Sequence, residues 1–205
     1  MSVLQKLASS QSIKSGIPNQ KLAKELADSG SQSDIKELVK NLDHKDKIIQ
    51  SDCIKTLYEI GYIKPELISD YVEIFIDLLN SSNNRLIWGG MVALSTIAQL
   101  KNSTIFSHRE TVIKAMEKGS VITKDAGIIT LARLAATDTY TDEIFPYLID
   151  QLKTCRPKSI APYAESISIA VNDKHKDDFK TVLFDRKDIL KPSQLRRVTK
   201  LLKQF

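Results

Sequence analysis

Small residues recur along this chain at a fixed spacing of 37 positions, and this repeat constrains the fold more than any other feature. The small residues are Cys53, Gly90, Gly127 and Ala164. The positions four and seven residues later are aliphatic in all but one case: Leu57, Leu94, Leu131 and Ser168, then Ile60, Ile97, Leu134 and Val171. Offsets of this size lie on one face of an α-helix. The register therefore predicts a helix in each repeat whose small residue lets a neighbouring helix approach closely.

A second apolar register precedes the first in every repeat. Its residues are Leu38, Phe75, Val112 and Ile149. Stacked helix pairs of this kind cover each other's apolar faces and build one continuous core. We therefore expect an all-α fold, a superhelical solenoid of about four helix pairs. The expected single domain, 1–205, has an N-terminal cap at 1–32, repeats at 33–171 and a basic helical cap at 172–205.

Local signals place several helix ends. Gly61 is a plausible C-cap for the first strong helix, and Pro65 then opens the next one. Near the C-terminus, Ser193 after Pro192 predicts an N-cap. The last helix is expected to bury a stripe that begins at Leu195.

The pattern resembles HEAT repeats, and armadillo repeats less closely. Residues 46–57 and 84–94 carry the resemblance, because an acidic or amide residue is followed by aliphatic residues, a small residue and Leu. Gln50 stands where Arg is usual, Asn83 where Asp is usual, and Ser168 replaces Leu in the fourth repeat. This motif encodes packing rather than an active site, so the resemblance implies a fold and leaves the function open.

The net charge of +5 is located almost entirely at one end of the chain. Residues 173–205 contain ten Lys or Arg and five Asp, whereas residues 1–172 contain twenty of each sign. The repeats are therefore not a uniformly basic nucleic-acid groove. The N-terminus lacks the apolar run of a signal peptide, and no stretch approaches the length of a membrane span. With two isolated thiols, these features lead us to expect a cytoplasmic protein without membrane contact.

Chemically active residue types are sparse. His44, His108 and His175 lack metal-ligand spacing, and the simplest expectation for each is a solvated surface histidine. Cys53 occupies a small-residue position and is expected in the core. Cys155 stands beside Arg156, which would lower the thiol pKa. We expect no enzyme activity, metal or cofactor.

The faces of the repeated helices that point away from the core should line one surface, concave in HEAT-like proteins. Repeat register places several side chains of interest on it: Lys55, Glu59, Trp88, Thr96, Asp125 and Arg133. One interpretation is a partner-recognition patch, since Trp and Arg dominate interface hot spots. The other is that Trp88 fills a gap between helix ends and Asp125 charges a helix start.

Two functions follow from these patterns. The first is a non-catalytic adaptor or scaffold that holds a protein or peptide on the concave face. The alternative is nucleic-acid binding, since one branch of HEAT-like proteins consists of DNA glycosylases for alkylated bases, which use aromatic residues and an Asp; Trp88 and Asp125 are the candidates for that pair here. The basic C-terminal helix offers separate phosphate contacts at Arg196, Arg197, Lys200 and Lys203. A chaperone-like or lyase role in cofactor attachment, known for some bacterial HEAT-like proteins, has no specific residue in its favour here.

Overall fold

A computed structural model describes residues 2–205, and these residues form α-helices and short 3-10 turns without any strand. They divide into two compact units, Met1–Gly127 and Ile128–Phe205. The first unit contains seven complete helices: α1 (Ile17–Ser29), α2 (Gln32–Lys40), α3 (Lys47–Ile63), α4 (Val72–Asp77), α5 (Asn84–Ile97), α6 (Asn102–Ser107) and α7 (Arg109–Lys118). Helix α8 (Val121–Ala135) begins in the first unit and ends in the second. The second unit continues with α9 (Asp138–Thr154), α10 (Pro157–Ile167), α11 (Lys176–Asp185) and α12 (Pro192–Leu202).

The repeats contain more helical pieces than a simple pair. Before α5, the chain forms 3-10 turns at Pro65–Leu67, Ser69–Tyr71 and Leu78–Asn80 around the short helix α4. Before α8, it forms α6 and α7, separated at His108. The repeat that ends in α8 therefore contains three helices, whereas the predicted unit was a helix pair, and both numbers occur in the HEAT/armadillo class.

The predicted small residues permit close helix packing in the first unit, where α1 packs on α3 and α3 packs on α5. Cys53 is fully buried in α3. A Cβ on Gly89 would lie 2.6 Å from Cγ1 of Ile54, and a Cβ on Gly90 would lie 3.0 Å from the carbonyl oxygen of Phe75. The absence of a side chain at these glycines is thus what allows α5 to approach both neighbours.

Polar residues at the predicted motif positions begin the two central helices. The Asp46 carboxylate accepts a hydrogen bond from the Ile48 amide at the start of α3. The Asn83 side chain accepts one from the Arg85 amide at the start of α5. Asn83 therefore performs the capping role for which Asp is usual, since both side chains satisfy an unpaired amide of the first turn.

Two predicted helix ends in this unit and the next are incorrect. Gly61 does not end α3, because the helix continues to Ile63 while Gly61 lies buried against Thr96 and Ile68. A small residue is needed at position 61 for close packing rather than for helix capping. The N-cap of α12 is Lys191, with Pro192 as the first helical residue, so Ser193 lies inside the helix.

The second unit packs α9 against α10 and α11, and α10 against α12. Arg186 connects two of these elements, because its Nη1 donates to the Leu152 carbonyl at 2.6 Å and its Nη2 donates to the Cys155 carbonyl at 2.6 Å. A cation at the C-terminus of α9 also interacts favourably with the helix dipole. In α12 the buried residues include Val198, whereas Leu195 is exposed, which contradicts the predicted start of its apolar stripe.

We predict that Gly90→Val destabilises the protein by about 1–3 kcal/mol, because the added side chain has no space beside the Phe75 carbonyl and Leu78. Urea unfolding followed by circular dichroism measures the change. Lys114→Val, at an exposed site of α7, is the control for the lower helix propensity of Val and should cost less than about 1 kcal/mol. Equal losses in the two variants would show that close packing at Gly90 is not limiting.

Candidate functional site

An aromatic and cationic cluster lies where α3 and α5 meet, with Tyr58 buried and Lys55 and Trp88 half-buried. The ring of Tyr58 lies 5.9 Å from the ring of Trp88 and 6.1 Å from that of Tyr62, measured between centroids. The Lys55 Nζ sits 5.4 Å from the centre of the Tyr58 ring. Helical spacing explains the arrangement within α3, because residues three and four apart share a face. We call Lys55, Tyr58 and Trp88 the aromatic cluster.

The aromatic cluster forms one side of a groove of about 530 Å³, which we call the α3–α5 groove. Its other wall is residues 8–16, which connect the 3-10 turn Val3–Lys6 to α1. The groove residues outside the cluster are Ala8, Ser9, Ile13, Lys14, Ser15, Gly16, Ile48, Ser51, Asp52 and Arg85. A volume of this size lies within the range of small-ligand and side-chain pockets.

Three hydrogen bonds, made by Asp52 and Asn19, hold the N-terminal wall of the α3–α5 groove in place. The two carboxylate oxygens of Asp52 accept from the Ser9 amide at 2.8 Å and from the Asn19 side-chain amide at 2.7 Å. Asn19 is itself fully buried, and its side-chain oxygen accepts from the Ala8 amide at 2.9 Å. The negative charge of Asp52 is thus committed to internal donors, and it fixes the wall relative to α3.

Ion pairing also fixes the orientation of Lys55. Its Nζ lies 3.0 Å from the Glu59 carboxylate and donates to the Tyr58 hydroxyl at 3.3 Å. Burial opposes the charge on Lys55, but the hydrogen bonds to Glu59 and Tyr58 outweigh burial and raise the Lys55 pKa. For Tyr58, burial raises the pKa, and the hydrogen bond and positive charge of Lys55 only partly offset this increase. Lys55 is therefore a positioned cation and Tyr58 a neutral hydroxyl.

The structure brings together only part of the predicted recognition patch. Lys55 and Trp88 line the α3–α5 groove, and Glu59 flanks it, bonded to Lys55 and to the Gln20 amide at 3.1 Å. Thr96 is buried, and its hydroxyl donates to the Ala93 carbonyl, so it offers no surface to a partner. Its predicted exposure was wrong because α5 is covered on that side by the residues around Gly61.

The other two predicted patch residues lie on α8. Asp125 and Arg133 are both half-buried, in the first and second compact unit respectively. Asp125 does not line the α3–α5 groove. The role of both residues in partner binding stays a prediction.

Sequence reasoning missed three contributors to the α3–α5 groove: Tyr58, Arg85 and the 8–16 segment. A helical-face argument could have found Tyr58, since it follows Lys55 by three positions. The same reasoning could have found Arg85, since it precedes Trp88 by three positions and shares its helical face. The 8–16 segment carries no repeat signal, and only its hydrogen bonds to Asp52 and Asn19 place it here.

A second cleft, of about 500 Å³, lies between α9 and α11 in the second unit. His175 lines it, and this residue is only 7% exposed, contrary to the expected solvated histidine. Its ring stacks on Phe145 with centroids 4.4 Å apart, and its Nε2 lies 3.1 Å from the Asp142 carboxylate. His175 is thus part of the packing between α9 and α11.

Neither cysteine has the properties of a reactive thiol. Burial raises the pKa of Cys53 to about 12, with smaller contributions from Asp52 and Glu37. Burial also raises the pKa of Cys155, although the Arg186 guanidinium opposes the shift. The expected lowering of the Cys155 pKa by basic neighbours was therefore wrong, because burial outweighs their charge.

Three of the four basic residues of the nucleic-acid alternative lie on α12, the fourth, Lys203, directly follows its last residue, and all four are exposed. They are not all available, because Arg197 forms a bidentate ion pair with the Glu165 carboxylate through its Nε and Nη2. The remaining residues, Arg196, Lys200 and Lys203, follow one helical face at positions i, i+4 and i+7.

Within residues 2–205, no group of three or more His, Cys, Asp or Glu side chains has an arrangement suited to a metal ion. None of the helices in that range combines the length and the apolar character needed to cross a bilayer.

Comparison with known proteins gives a fold but no family at the sequence level. No family model and no curated protein matches this sequence. Solved structures do match. A designed armadillo repeat protein in complex with the peptide (KR)4 has a TM-score of 0.66 and 14% identity, covering 90% of this chain and 85% of its own. Computationally designed armadillo repeat proteins for modular peptide recognition give a TM-score of 0.62 at 16% identity, covering 99% and 98%. An engineered protein has a TM-score of 0.65 at 18% identity, and the match covers 99% of this chain and 98% of the engineered protein.

These matches confirm the predicted fold class. The chain is an all-α helical-repeat solenoid of the HEAT/armadillo-like class. At such low identity the likeness concerns the path of the backbone, and the residues of any site have to be argued from this chain alone.

We predict that Asp142→Asn removes a pH-dependent part of the stability. Hydrogen bonds from Lys174 and His175 lower the Asp142 pKa in the folded protein. A lowered folded pKa stabilises above the unfolded Asp value, near 4, and this contribution is lost as pH falls through the folded pKa. Urea unfolding from about pH 7 to about pH 3 should show the wild type and the variant converging at acidic pH.

The companion variant Lys174→Met removes the largest cause of the lowered Asp142 pKa. In this background, the difference in unfolding free energy between the proteins with and without Asp142→Asn at neutral pH should be smaller. Parallel stability curves for the wild type and Asp142→Asn over the whole pH range would contradict the assignment.

We predict that Cys53 resists alkylation in the folded protein, because its thiol is buried and its pKa is raised to about 12. A Cys155→Ser background isolates Cys53. Treatment with iodoacetamide at about pH 8 should modify this variant rapidly in urea and very slowly without it, as measured by intact mass. Rapid modification of the folded variant would show that α3 opens locally at Cys53.

Proposed function

We propose that the protein is a non-catalytic binding module that holds an extended segment of a partner protein in the α3–α5 groove. The observation that carries this proposal is the aromatic cluster, where the half-buried Trp88 packs on the buried ring of Tyr58 beside a fixed cation. Aromatic residues bounded by hydrogen-bonding groups are typical anchors of protein interfaces. The groove is also wide enough to receive one large side chain of a ligand.

The fold supports the same function by analogy. The designed armadillo neighbours were made for modular peptide recognition or solved with a bound peptide. Helical-repeat proteins of this class present extended surfaces built from successive repeats. In this chain α1, α3 and α5 form such a series within one compact unit.

The rigidity of the groove favours binding without large rearrangement. Lys55 is held by Glu59 and Tyr58, and the N-terminal wall is held by Asp52. Side chains already fixed in the unbound protein lose less conformational entropy when a ligand arrives. A groove of this kind therefore suits recognition rather than conformational switching.

Nucleic-acid binding at α12 is the less favoured alternative. The ion pair between Arg197 and Glu165 neutralises one of its four basic residues. Three exposed cations on one short helix can contact few phosphates, and affinity for nucleic acid depends on their number. We therefore place the principal function in the α3–α5 groove.

Selection from a random peptide library, followed by anisotropy measurements with labelled peptides, tests the proposed function. Trp88→Ala should weaken binding of a selected peptide by roughly thirtyfold, the effect of a typical hot spot of about 2 kcal/mol. Trp88→Phe should retain most of the affinity, because it keeps an aromatic surface. Circular dichroism and thermal unfolding establish that both variants are folded.

Lys36→Ala, at an exposed site of α2 outside the groove, is the matched control and should bind as the wild type does. Selected peptides that bind Trp88→Ala with wild-type affinity would place recognition elsewhere on the protein.

A further inference from the structure

More positive than negative side chains line the α3–α5 groove. Three cations line it, namely Lys14, Lys55 and Arg85, together with a single acid, Asp52. Asp52 is occupied by the amides of Ser9 and Asn19, and neither contact involves a lysine or arginine. Lys55 is neutralised by Glu59. Three cations, Lys14, Lys55 and Arg85, against the two carboxylates of Asp52 and Glu59 leave a net charge of +1 in and beside the groove, and two of the three cations have no carboxylate partner.

Lys14 and Arg85 are those two cations. Both side chains are exposed, and neither forms an ion pair within residues 2–205. Lys14 belongs to the N-terminal wall, whereas Arg85 belongs to the first turn of α5, so they approach the groove from different elements. A ligand lying along the groove would meet a positive charge on the wall and another on the α5 side.

Helix orientation adds to the positive potential. Ile48 in the first turn of α3 and Arg85 in the first turn of α5 both line the groove. The N-terminal ends of helices carry partial positive charge from unpaired amide groups. Each helix has one of these amides satisfied by its own cap, Asp46 or Asn83, and the remaining dipole has the same sign as Lys14 and Arg85.

Apolar surface between these charges limits the ligand further. Ile13 and Ile48 are 43% and 61% exposed, which is high for isoleucine, and both line the groove near Tyr58 and Trp88. Exposed apolar residues next to aromatic rings are favourable contacts for a large apolar side chain. The groove thus combines an apolar centre with a cationic margin.

We propose that the α3–α5 groove selects an acidic partner segment in which Asp or Glu residues flank one aromatic or large aliphatic residue. This inference rests on the proposed function and specifies its ligand. The carboxylates pair with Lys14 and Arg85, and the apolar residue packs between Ile48 and the aromatic cluster. A basic segment, such as the (KR)4 peptide bound by one structural neighbour, meets like charges here and is excluded.

The single tryptophan makes this selectivity directly measurable. Trp88 lines the groove, so its fluorescence reports occupancy without a label. The probes are three short peptides of equal length: Glu-Asp-Glu-Phe-Glu-Asp-Glu, its counterpart with Lys and Arg, and a neutral counterpart with Ser and Gln. The acidic peptide should saturate the fluorescence change, and added salt should weaken its binding. The basic peptide should bind at least tenfold more weakly.

Charge reversal tests the residues responsible. Lys14→Glu combined with Arg85→Glu should weaken binding of the acidic peptide by at least about tenfold, because each site changes from attraction to repulsion. The same variant should bind the basic peptide better than the wild type does. The matched control is Lys36→Glu combined with Lys114→Glu, two exposed lysines outside the groove, which leaves the order of the three peptides unchanged.

The outcomes separate the two proposals. Binding of all three peptides with similar affinity and a Trp88 response would overturn acidic selectivity while the groove stands as a binding site. Stronger binding of the basic than of the acidic peptide would also overturn acidic selectivity and leave the groove as a binding site. Absence of any Trp88 response to all three peptides, and of any peptide in the library selection, would overturn both. Preferential binding of the acidic peptide, reversed by the double variant, supports the inference.

Discussion

Close approach of helices at small residues is the constraint on which the rest of this structure depends. Gly89 and Gly90 bring α5 against Ile54 of α3 and against the Phe75 carbonyl, and Cys53 occupies the equivalent place in α3. Larger side chains at these positions would push the helices apart. Because the helices are close, side chains at the edge of the same contact, such as Tyr58 and Trp88, also meet.

The α3–α5 groove forms where the closely packed helices α3 and α5 meet, and polar residues hold its second wall in place. Asp52 lies near the middle of α3, on the side of the helix that faces α1, and ties down the N-terminal segment through Ser9 and Asn19. Its carboxylate accepts hydrogen bonds from uncharged amides and pairs with none of the groove cations, so Lys14 and Arg85 stay without a carboxylate partner. This one half-buried carboxylate therefore fixes the wall of the site, while three cations against Asp52 and Glu59 leave the site with a net charge of +1.

The repeat register predicted more of the fold than of the site. It predicted Lys55 and Trp88 on one surface, and both line the α3–α5 groove. It failed for Thr96, which α3 covers at Gly61. The separate expectation of a solvated His175 failed because its ring stacks on Phe145 of α9. In both cases burial depends on a segment that is distant in sequence.

The sequence by itself determined the all-α class, the repeat and the core face of the repeated helices, since apolar periodicity and small residues act through local helical geometry. Only the tertiary structure decided that the first helices are broken into short helices and 3-10 turns, that residues 8–16 wall a groove, and that Lys14 and Arg85 have no ion-pair partner within residues 2–205. Ion pairs and hydrogen bonds between remote segments, such as Ser9 and Asp52, depend on distances that no local pattern encodes.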